Sequence, residues 1–293
     1  MVGLCLLWGI TQVSIKLALH EGLPPFLQAG LRSAGSTILL LAWVRLQGGR
    51  GAIGRLLAAD GAFWSGVLTA ALFAGEFLAM YPGLRLTTAS RATLFIYTAP
   101  FWVALGVHLL VPGERMTPRQ GAGLIFAFVG VALAVGDGLL AGGGEWLGDV
   151  LTLLAGAFWG GITVAVRASR RLMAVSPEKV LLYQLGGSVP VLLLAGSVAG
   201  EWPLLAGASL QGWGWLGYQT LVIAFFSYLT WYWLIGRYPA GRLAAFTFLV
   251  PVFGLAAGAL ILKEPVSALL VVALLFVAFG IRLVNGPASP KLA

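Results

Sequence analysis

The strongest constraint on this chain is a series of ten long apolar blocks, separated by short stretches that contain charged residues, glycine or proline. The blocks lie near residues 2–19, 25–46, 62–84, 88–111, 117–140, 146–168, 176–199, 209–235, 239–262 and 265–284. A helix needs roughly 20 apolar residues to cross a hydrocarbon core ~30 Å thick. Strands of a membrane barrel would instead alternate over about ten residues. The pattern therefore predicts an all-α integral membrane protein with ten transmembrane helices.

The composition excludes an ordinary soluble protein. Of the 293 residues, 59% are hydrophobic and 10% are charged, whereas soluble domains carry roughly 25% charged residues. The net charge of +8 would favour a nucleic-acid partner in a soluble protein. Here the basic residues lie singly in short loops, so we expect membrane lipid and no nucleic acid around the chain.

The loop charges predict the orientation. If the N-terminus is cytoplasmic, thirteen lysines and arginines lie in the inner loops and tail, and only Lys16, Arg85, Arg91 and Lys263 lie on the outer side. Inner loops of membrane proteins are enriched in lysine and arginine. We therefore expect both termini in the cytoplasm and the protein in a bacterial inner (plasma) membrane. The first block reads as a span rather than a signal peptide, because no basic segment precedes it.

The second half of the chain repeats the first. Residues 91–106 read RATLFIYTAPFWVALG and residues 242–257 read RLAAFTFLVPVFGLAA, each with an initial arginine and a proline at the tenth position. Further pairs, at offsets of 151 or 150, are Trp8 and Trp159, Lys16 and Arg167, Tyr81 and Tyr232, Glu114 and Glu264, and Gly130 and Gly280. We predict two five-helix repeats, residues 1–143 and 144–293. Because five is odd, the second repeat enters the membrane from the opposite side, which is typical of secondary transporters.

Three segments carry a family resemblance. LLWGITQVSIKLAL in the first block, PGERMTPRQGAGLIFAFVGVALAV and its echo LKEPVSALLVVALLFVAFGIRLV resemble EamA-type members of the drug/metabolite transporter superfamily. The resemblance covers essentially the whole chain, and within the superfamily the chain looks most like the YddG-type exporters of aromatic amino acids. The second copy departs from the pattern at Ala155 and Phe158 and lacks the TPRQG wording after Glu264.

The resemblance implies a ten-helix carrier with alternating access that exports small organic metabolites through a central cavity between the repeats. Aromatic and other large apolar amino acids are the leading substrates. Hydrophobic cationic drugs are the alternative, because an acidic residue in a span would attract them.

Pro100 and Pro251 lie inside the fourth and ninth blocks. Proline removes a backbone donor and kinks a helix. We expect these kinks either to shape the bundle or to let half-helices tilt as access changes sides. Glu114 and Glu264, at the mouths of the same blocks, are further gating candidates.

Aromatic and polar residues inside the blocks are candidates for the wall of a central cavity. Rings suit substrates with apolar or aromatic side chains, and buried polar groups can fix the ends of a zwitterion or join helices to each other. The candidates are Trp8, Gln12, Glu76, Tyr81, Tyr97, Phe101, Trp102, Trp159, Thr163, Tyr218, Tyr232 and Phe246.

Glu76 is the acidic residue well inside a predicted span, where a carboxylate is costly and usually faces a cavity or a partner. It could bind a substrate ammonium group, carry a coupling proton, or pair with Arg32 in the second block. The repeated arginines Arg91 and Arg242 open helices whose positive dipole ends do not favour them. Their partner is left open between a protein group, a carbonyl and a lipid phosphate.

The sequence does not favour an enzyme. The aspartates Asp60, Asp137 and Asp149 are far apart, and His20 and His108 do not form the paired motif of a metalloprotease. No Walker motif is present, and nothing resembles the filter of a channel. We therefore expect a transporter with a small-molecule substrate, without cofactor or metal, as a monomer or a homodimer.

Overall fold

The chain folds into helices. The computed structural model describes residues 1–58, 61–111, 115–140, 145–235, 246–247 and 249–285. Its helices are α1 (Val2–His20), α2 (Pro25–Gly48), α3 (Ala52–Leu57), α4 (Phe63–Leu86), α5 (Ala89–Ile96), α6 (Ala99–Leu110), α7 (Pro118–Leu140), α8 (Glu145–Ala168), α9 (Arg170–Ala174), α10 (Pro177–Val198), α11 (Leu210–Tyr218), α12 (Tyr228–Ile235), α13 (Leu249–Ile261) and α14 (Ala268–Asn285). A 3₁₀-helix, Trp202–Gly207, precedes α11, and a π-helix, Gln219–Ser227, joins α11 to α12. Within the described ranges no strand occurs.

Several of these helices have the length and apolarity of membrane spans. The five clear ones are Val2–His20, Phe63–Leu86, Ala89–Leu110, Glu145–Ala168 and Pro177–Val198. Shorter apolar helices are Pro118–Ala134, Leu249–Ile261 and Ala268–Val284. The predicted all-α integral membrane class is therefore confirmed. The number of ten crossings and their inverted arrangement stay predictions.

α2 is 24 residues long and unusually polar for a helix inside this protein. Its buried positions include Gln28, Arg32, Ser33 and Ser36. These residues lower the apolarity of the helix, and α2 is not among the five clear spans. The polar residues are directed into the protein, so they need partners there or a function.

The fourth predicted block is not one continuous α-helix. The block at 88–111 is divided at Tyr97 and Thr98 into α5 and α6, and Pro100 lies in the first turn of α6. Proline is favoured there because the amide N–H of the first turn has no partner within the helix. Pro251 likewise lies in the first turn of α13. The predicted kink at Pro100 is thus a break between two helices.

The helices approach each other closely where glycine removes a side chain. α1 packs on α13, and α8 packs on α6. A Cβ added at Gly9 would lie 2.7 Å from the Cβ of Phe253, and one added at Gly160 would lie 2.6 Å from the Cβ of Trp102. Both members of the second contact are 151 positions from those of the first, so equivalent helix pairs use equivalent glycines.

The contact between α7 and α14 repeats in the same way. A Cβ at Gly130 would lie 2.8 Å from the carbonyl oxygen of Ala273, and one at Gly280 would lie 2.6 Å from the carbonyl oxygen of Gly123. These pairs are related by an offset of 150. In a membrane, such small residues let backbones pack closely enough for dispersion to hold the helices together.

A methyl group at Gly160 tests this close packing. We expect Gly160→Ala to lower the free energy of unfolding by about 1–3 kcal/mol, because the added carbon overpacks the α6–α8 contact. Gly217→Ala is the control, since a Cβ there meets nothing within 4 Å and alanine favours the helix. Thermal unfolding in detergent compares the two, and equal melting temperatures would contradict the contact.

Candidate functional site

A buried group of charged and aromatic side chains lies among α2, α4, α5 and α12. We define the central cluster as Arg32, Glu76, Phe77, Tyr81, Tyr97 and Tyr228. Arg32 is 2% exposed and Glu76 is 8% exposed. A charge withdrawn from water to this degree is costly unless it is paired. The central cluster is therefore the candidate functional site.

Arg32 is held in the cluster but is only partly satisfied. Its guanidinium lies 4.7 Å from the centre of the Phe77 ring, a cation–π distance. The phenol groups of Tyr81 and Tyr228 are close enough to interact with it. Its Nε and Nη1 atoms nevertheless have no hydrogen-bond partner among the described residues. Three of its five N–H groups are therefore available.

Glu76 lies near Arg32 and interacts with it electrostatically. The two side chains do not form a direct ion pair. Among the described residues, direct ion pairs form elsewhere, for example between Lys16 and Glu264 and between Arg91 and Asp149. Of the three roles that the sequence left open for Glu76, a direct pair with Arg32 is thus not the one in this structure. The remaining roles need a ligand or a proton.

A hydrogen-bonded chain fixes Tyr81 at the edge of the cluster. The Oε1 atom of Gln219 accepts from the Tyr81 hydroxyl at 3.4 Å and from Nε2 of Gln28 at 3.2 Å. The Nε2 atom of Gln219 donates to the carbonyl of Ser14 at 3.0 Å. Gln219 begins the π-helix, and π-helical turns are frequent at functional sites. This chain joins α1, α2 and α4 to the second half of the protein.

Gln28 and Arg32 are absent from the predicted cavity candidates. The signal that could have found them is their spacing, because residues four apart lie on one face of a helix. The neighbouring residue is Ser33, whose hydroxyl also has no partner among the residues that the structure describes. Polar residues on one side of an otherwise apolar block indicate a face that is buried against something polar.

Several predicted candidates lie in or beside the cluster. Tyr97 belongs to it, and its ring meets that of Trp159 edge to face at 5.2 Å. The indole Nε1 of Trp8 donates to the Ser227 hydroxyl at 2.9 Å, and its ring lies 5.4 Å from that of Trp231. Gln12 is buried, and its Oε1 atom has no partner among the described residues. Trp8 and Trp159, which correspond at the offset of 151, are thus both half-buried.

Two further candidates, Phe101 and Trp102, lie in α6, outside the central cluster. Phe101 packs towards α7 and α14, and the Trp102 indole donates to the Thr98 hydroxyl at 3.1 Å and contacts the Phe128 ring. The break between α5 and α6 separates both residues from Tyr97.

The remaining candidates do not join the cluster. Thr163 is exposed, and Tyr218 is half-buried beside Trp215. Phe246 is 40% exposed, although its carbonyl accepts from the Cys5 thiol. The side chains of Tyr232 and Glu114 lie outside the described residues.

A recess opens at the end of the protein where α6 and α8 terminate. Its volume is about 780 Å³. It is lined by Ser65, Leu68, Leu72, Trp102, Leu105, Gly106, Leu109, Leu110, Ala157, Gly161, Val164, Ala165, Ala168, Ser169, Arg170 and Arg171. The predicted orientation places this end in the cytoplasm.

At the opposite end, Glu264 joins the segment after α13 to the start of α5. Its carboxylate accepts from the backbone N–H groups of Ala89 at 2.6 Å and Ser90 at 2.9 Å, and from the Ser90 hydroxyl at 2.8 Å. Lys16 pairs with it at 3.2 Å and donates to the Thr87 carbonyl at 2.7 Å. Glu264 therefore caps the N-terminus of α5, where the helix dipole favours an anion. We call Lys16, Glu264 and residues 87–90 the outer latch.

The structure identifies the partners of Arg91, which the sequence left open. Its guanidinium donates to Asp149 at 3.1 Å, to Asp137 at 3.0 Å and to the Ala134 carbonyl. Glu145 is a further carboxylate at 3.7 Å. The partner of Arg91 is thus a set of protein carboxylates and a carbonyl rather than lipid.

The same carboxylates bind further helices. Asp149 also accepts from the Thr87 hydroxyl at 2.7 Å, and Asp137 accepts from the Ser267 hydroxyl at 2.8 Å. The Arg91 network therefore joins α5, α7 and α8 to the segment before α14. Arg242, its counterpart in the repeat, lies outside the described residues.

Comparison with known proteins assigns the chain to a family. The EamA-like transporter family matches residues 1–136 and 146–286. The chain belongs to this family.

Relatives of this EamA-like transporter carry matching descriptions. An uncharacterized transporter of Archaeoglobus fulgidus is 31% identical, over 85% of this chain and 83% of the relative. A probable amino-acid metabolite efflux pump of Escherichia coli is 30% identical, over 89% of this chain and 85% of the relative. A protein of known crystal structure has the same fold, with a TM-score of 0.66, 19% identity and coverage of 96% and 94% of the two chains. The names indicate membrane transporters rather than enzymes.

Removal of Arg91 should destabilise the transporter strongly. Asp149 is fully buried, so Arg91→Met leaves an uncompensated charge, which costs about 3–5 kcal/mol. Unfolding in mixed detergent micelles measures the loss, with Arg85→Met as the exposed control. The double variant Arg91→Met/Asp149→Asn should lose less than the sum of the single variants, because the two residues interact directly. Additive losses would contradict the network.

Weakening the outer latch should expose the residues beneath it. Thr93 is fully buried one turn below Ser90, and Thr93→Cys in a Cys5→Ser background gives a single thiol for a membrane-impermeant maleimide. Glu264→Gln removes the charge from four contacts, so labelling should accelerate about tenfold or more. Lys263→Gln, which changes an exposed neighbouring charge, should leave the rate unchanged. Equal rates in both variants would mean that the latch does not control opening.

Proposed function

We propose that this EamA-like transporter exports small organic metabolites by alternating access, with aromatic and other large apolar amino acids as its leading substrates. The observation that carries the proposal is the central cluster. It combines aromatic rings with side chains of both charges, and it draws residues from both halves of the chain. A site between the halves can meet either side of the membrane as the halves exchange roles.

Two inverted repeats, residues 1–143 and 144–293, would provide those exchanging halves. Two sets of contacts support them, because Gly9 and Gly160 with their partners are related by an offset of 151, and Gly130 and Gly280 with theirs by an offset of 150. The family also matches the chain in two segments that fall one in each half. Five helices in each half would place both termini in the cytoplasm, with the protein in the inner (plasma) membrane.

The two ends of the protein support alternating access. The outer latch closes one end through Lys16 and Glu264, while the recess between α4, α6 and α8 opens at the other. In this proposal the structure corresponds to a state closed towards the outside. Pro100 and Pro251, which begin α6 and α13, would be the points about which these helices tilt.

The substrate class rests on the chemistry of the cluster and on a relative's name. Phe77, Tyr81 and Tyr97 provide rings for an apolar or aromatic side chain, and Arg32 and Glu76 provide charges for its polar ends. The Escherichia coli relative is named a probable amino-acid metabolite efflux pump. A hydrophobic cation is the second candidate, favoured by Glu76 alone. Arg32 opposes it, because a buried guanidinium repels a cation at short range.

Counterflow in proteoliposomes tests the proposed function. Vesicles loaded with unlabelled phenylalanine should take up labelled phenylalanine faster than empty liposomes do. Glu76→Gln should slow exchange about tenfold or more, because a charged hydrogen bond in the site is lost. Glu178→Gln, near the start of α10 and outside the cluster, is the matched control.

Absence of exchange with phenylalanine, tyrosine and tryptophan in folded protein would overturn the amino-acid proposal. Uptake of a labelled hydrophobic cation under the same conditions would then support the second candidate.

A further inference from the structure

We infer that Arg32 binds the carboxylate of the substrate, so that the transporter selects amino acids with a free α-carboxylate. The inference rests on the proposed function and names the substrate feature that the site recognises. Arg32 belongs to α2, which contributed no residue to the cavity candidates of the sequence.

Arg32 is buried, and part of its guanidinium is unsatisfied. It is 2% exposed, and its Nε and Nη1 atoms have no hydrogen-bond partner among the described residues. Buried charges persist in membrane proteins where they have a partner or mark a substrate path. An arginine left in this state within a helix of a transporter therefore indicates that its partner is brought by the substrate.

The partners of Arg91 differ from those of Arg32. Arg91 is equally buried, at 3% exposure, and its guanidinium is surrounded by Asp137, Asp149 and the Ala134 carbonyl. The chain thus supplies full compensation where an arginine serves to join helices. Around Arg32 it supplies two phenols, a ring and the Glu76 carboxylate, which interacts with the guanidinium electrostatically but does not pair with it directly.

The unsatisfied N–H donors of Arg32 match a carboxylate. A guanidinium is always charged, and its planar set of N–H donors matches a carboxylate. Such a pair has short, charge-assisted hydrogen bonds that are about twice as strong as neutral ones. A carboxylate on the substrate satisfies the Nε or Nη1 donors directly.

Aromatic side chains of α4 lie beside Arg32. Phe73, Phe77 and Tyr81 form a row of edge-to-face rings along α4, with centroid distances of 4.7 and 5.7 Å. Glu76 lies in the same cluster without a direct bond to Arg32. In this inference the two charges receive the two ends of a zwitterion, with its ammonium on Glu76 and its side chain against the rings.

Ligand-induced thermal stabilisation of the purified transporter tests the inference, with phenylalanine, phenethylamine and 3-phenylpropanoate as probes. Phenethylamine lacks the carboxylate, and 3-phenylpropanoate lacks the ammonium. In the wild type we expect phenylalanine to bind about 10–100-fold more tightly than phenethylamine. In Arg32→Gln that ratio should fall close to one, because phenylalanine binding weakens and phenethylamine binding does not.

A matched control and a second variant make the result decisive. Arg45→Gln removes an exposed arginine from the same helix and should keep the wild-type ratio. Arg32→Lys keeps the charge but loses the planar donors, so the ratio should fall part of the way. If Arg32→Gln does not fold, the lysine variant decides between the outcomes. A variant that unfolds at lower temperature but keeps the wild-type ratio would assign Arg32 a purely structural role and overturn the inference.

The outcomes separate this inference from the proposed function. Carboxylate-dependent binding that needs Arg32, without counterflow, would support the inference and overturn export of these amino acids. Counterflow with equal binding of phenylalanine and phenethylamine would overturn the inference and leave the export proposal standing.

Discussion

The structure depends on how charge is accommodated where water is scarce. A buried guanidinium is costly in the hydrocarbon region, and the described part of the chain contains two, which are compensated differently. Arg91 is enclosed by Asp137 and Asp149, whose other hydrogen bonds reach Thr87 and Ser267. Arg32 has phenols and a ring, but its Nε and Nη1 atoms have no partner in the described part of the chain. The first arrangement stabilises a junction of helices, and the second is the position that we propose a ligand completes.

The close helix contacts make these charges possible. Gly9 and Gly160 bring α1 to α13 and α8 to α6, which gathers residues distant in sequence around one centre. The outer latch uses the same geometry, since Glu264 reaches the N-terminus of α5 only because α13 packs beside α5. We propose that opening the latch disturbs this contact and, through α5, Tyr97 at the C-terminal end of that helix. In this account gating and binding are coupled because they share α5.

The class of the protein and its family could be predicted from the sequence, because both depend on local apolar blocks and motifs. Glu76, Tyr81 and Tyr97 could also be selected, since polar and aromatic residues inside a span are few. The division of the fourth block at Tyr97 and Thr98 could not be located from the sequence. The partners of Arg91 lie 46 and 58 residues away, and only tertiary packing identifies them. Arg32 appeared in the sequence only as a possible partner of Glu76, and its unpaired state is visible only in three dimensions.

A crystal structure with bound phenylalanine tests the central claim most directly. The quantity to measure is the distance from the ligand carboxylate to the Arg32 guanidinium. This account predicts nitrogen–oxygen distances of about 2.7–2.9 Å, as in a charge-assisted hydrogen bond, with the aromatic ring of the ligand beside Phe77. Phenylalanine bound elsewhere, with Arg32 paired directly to Glu76, would contradict it.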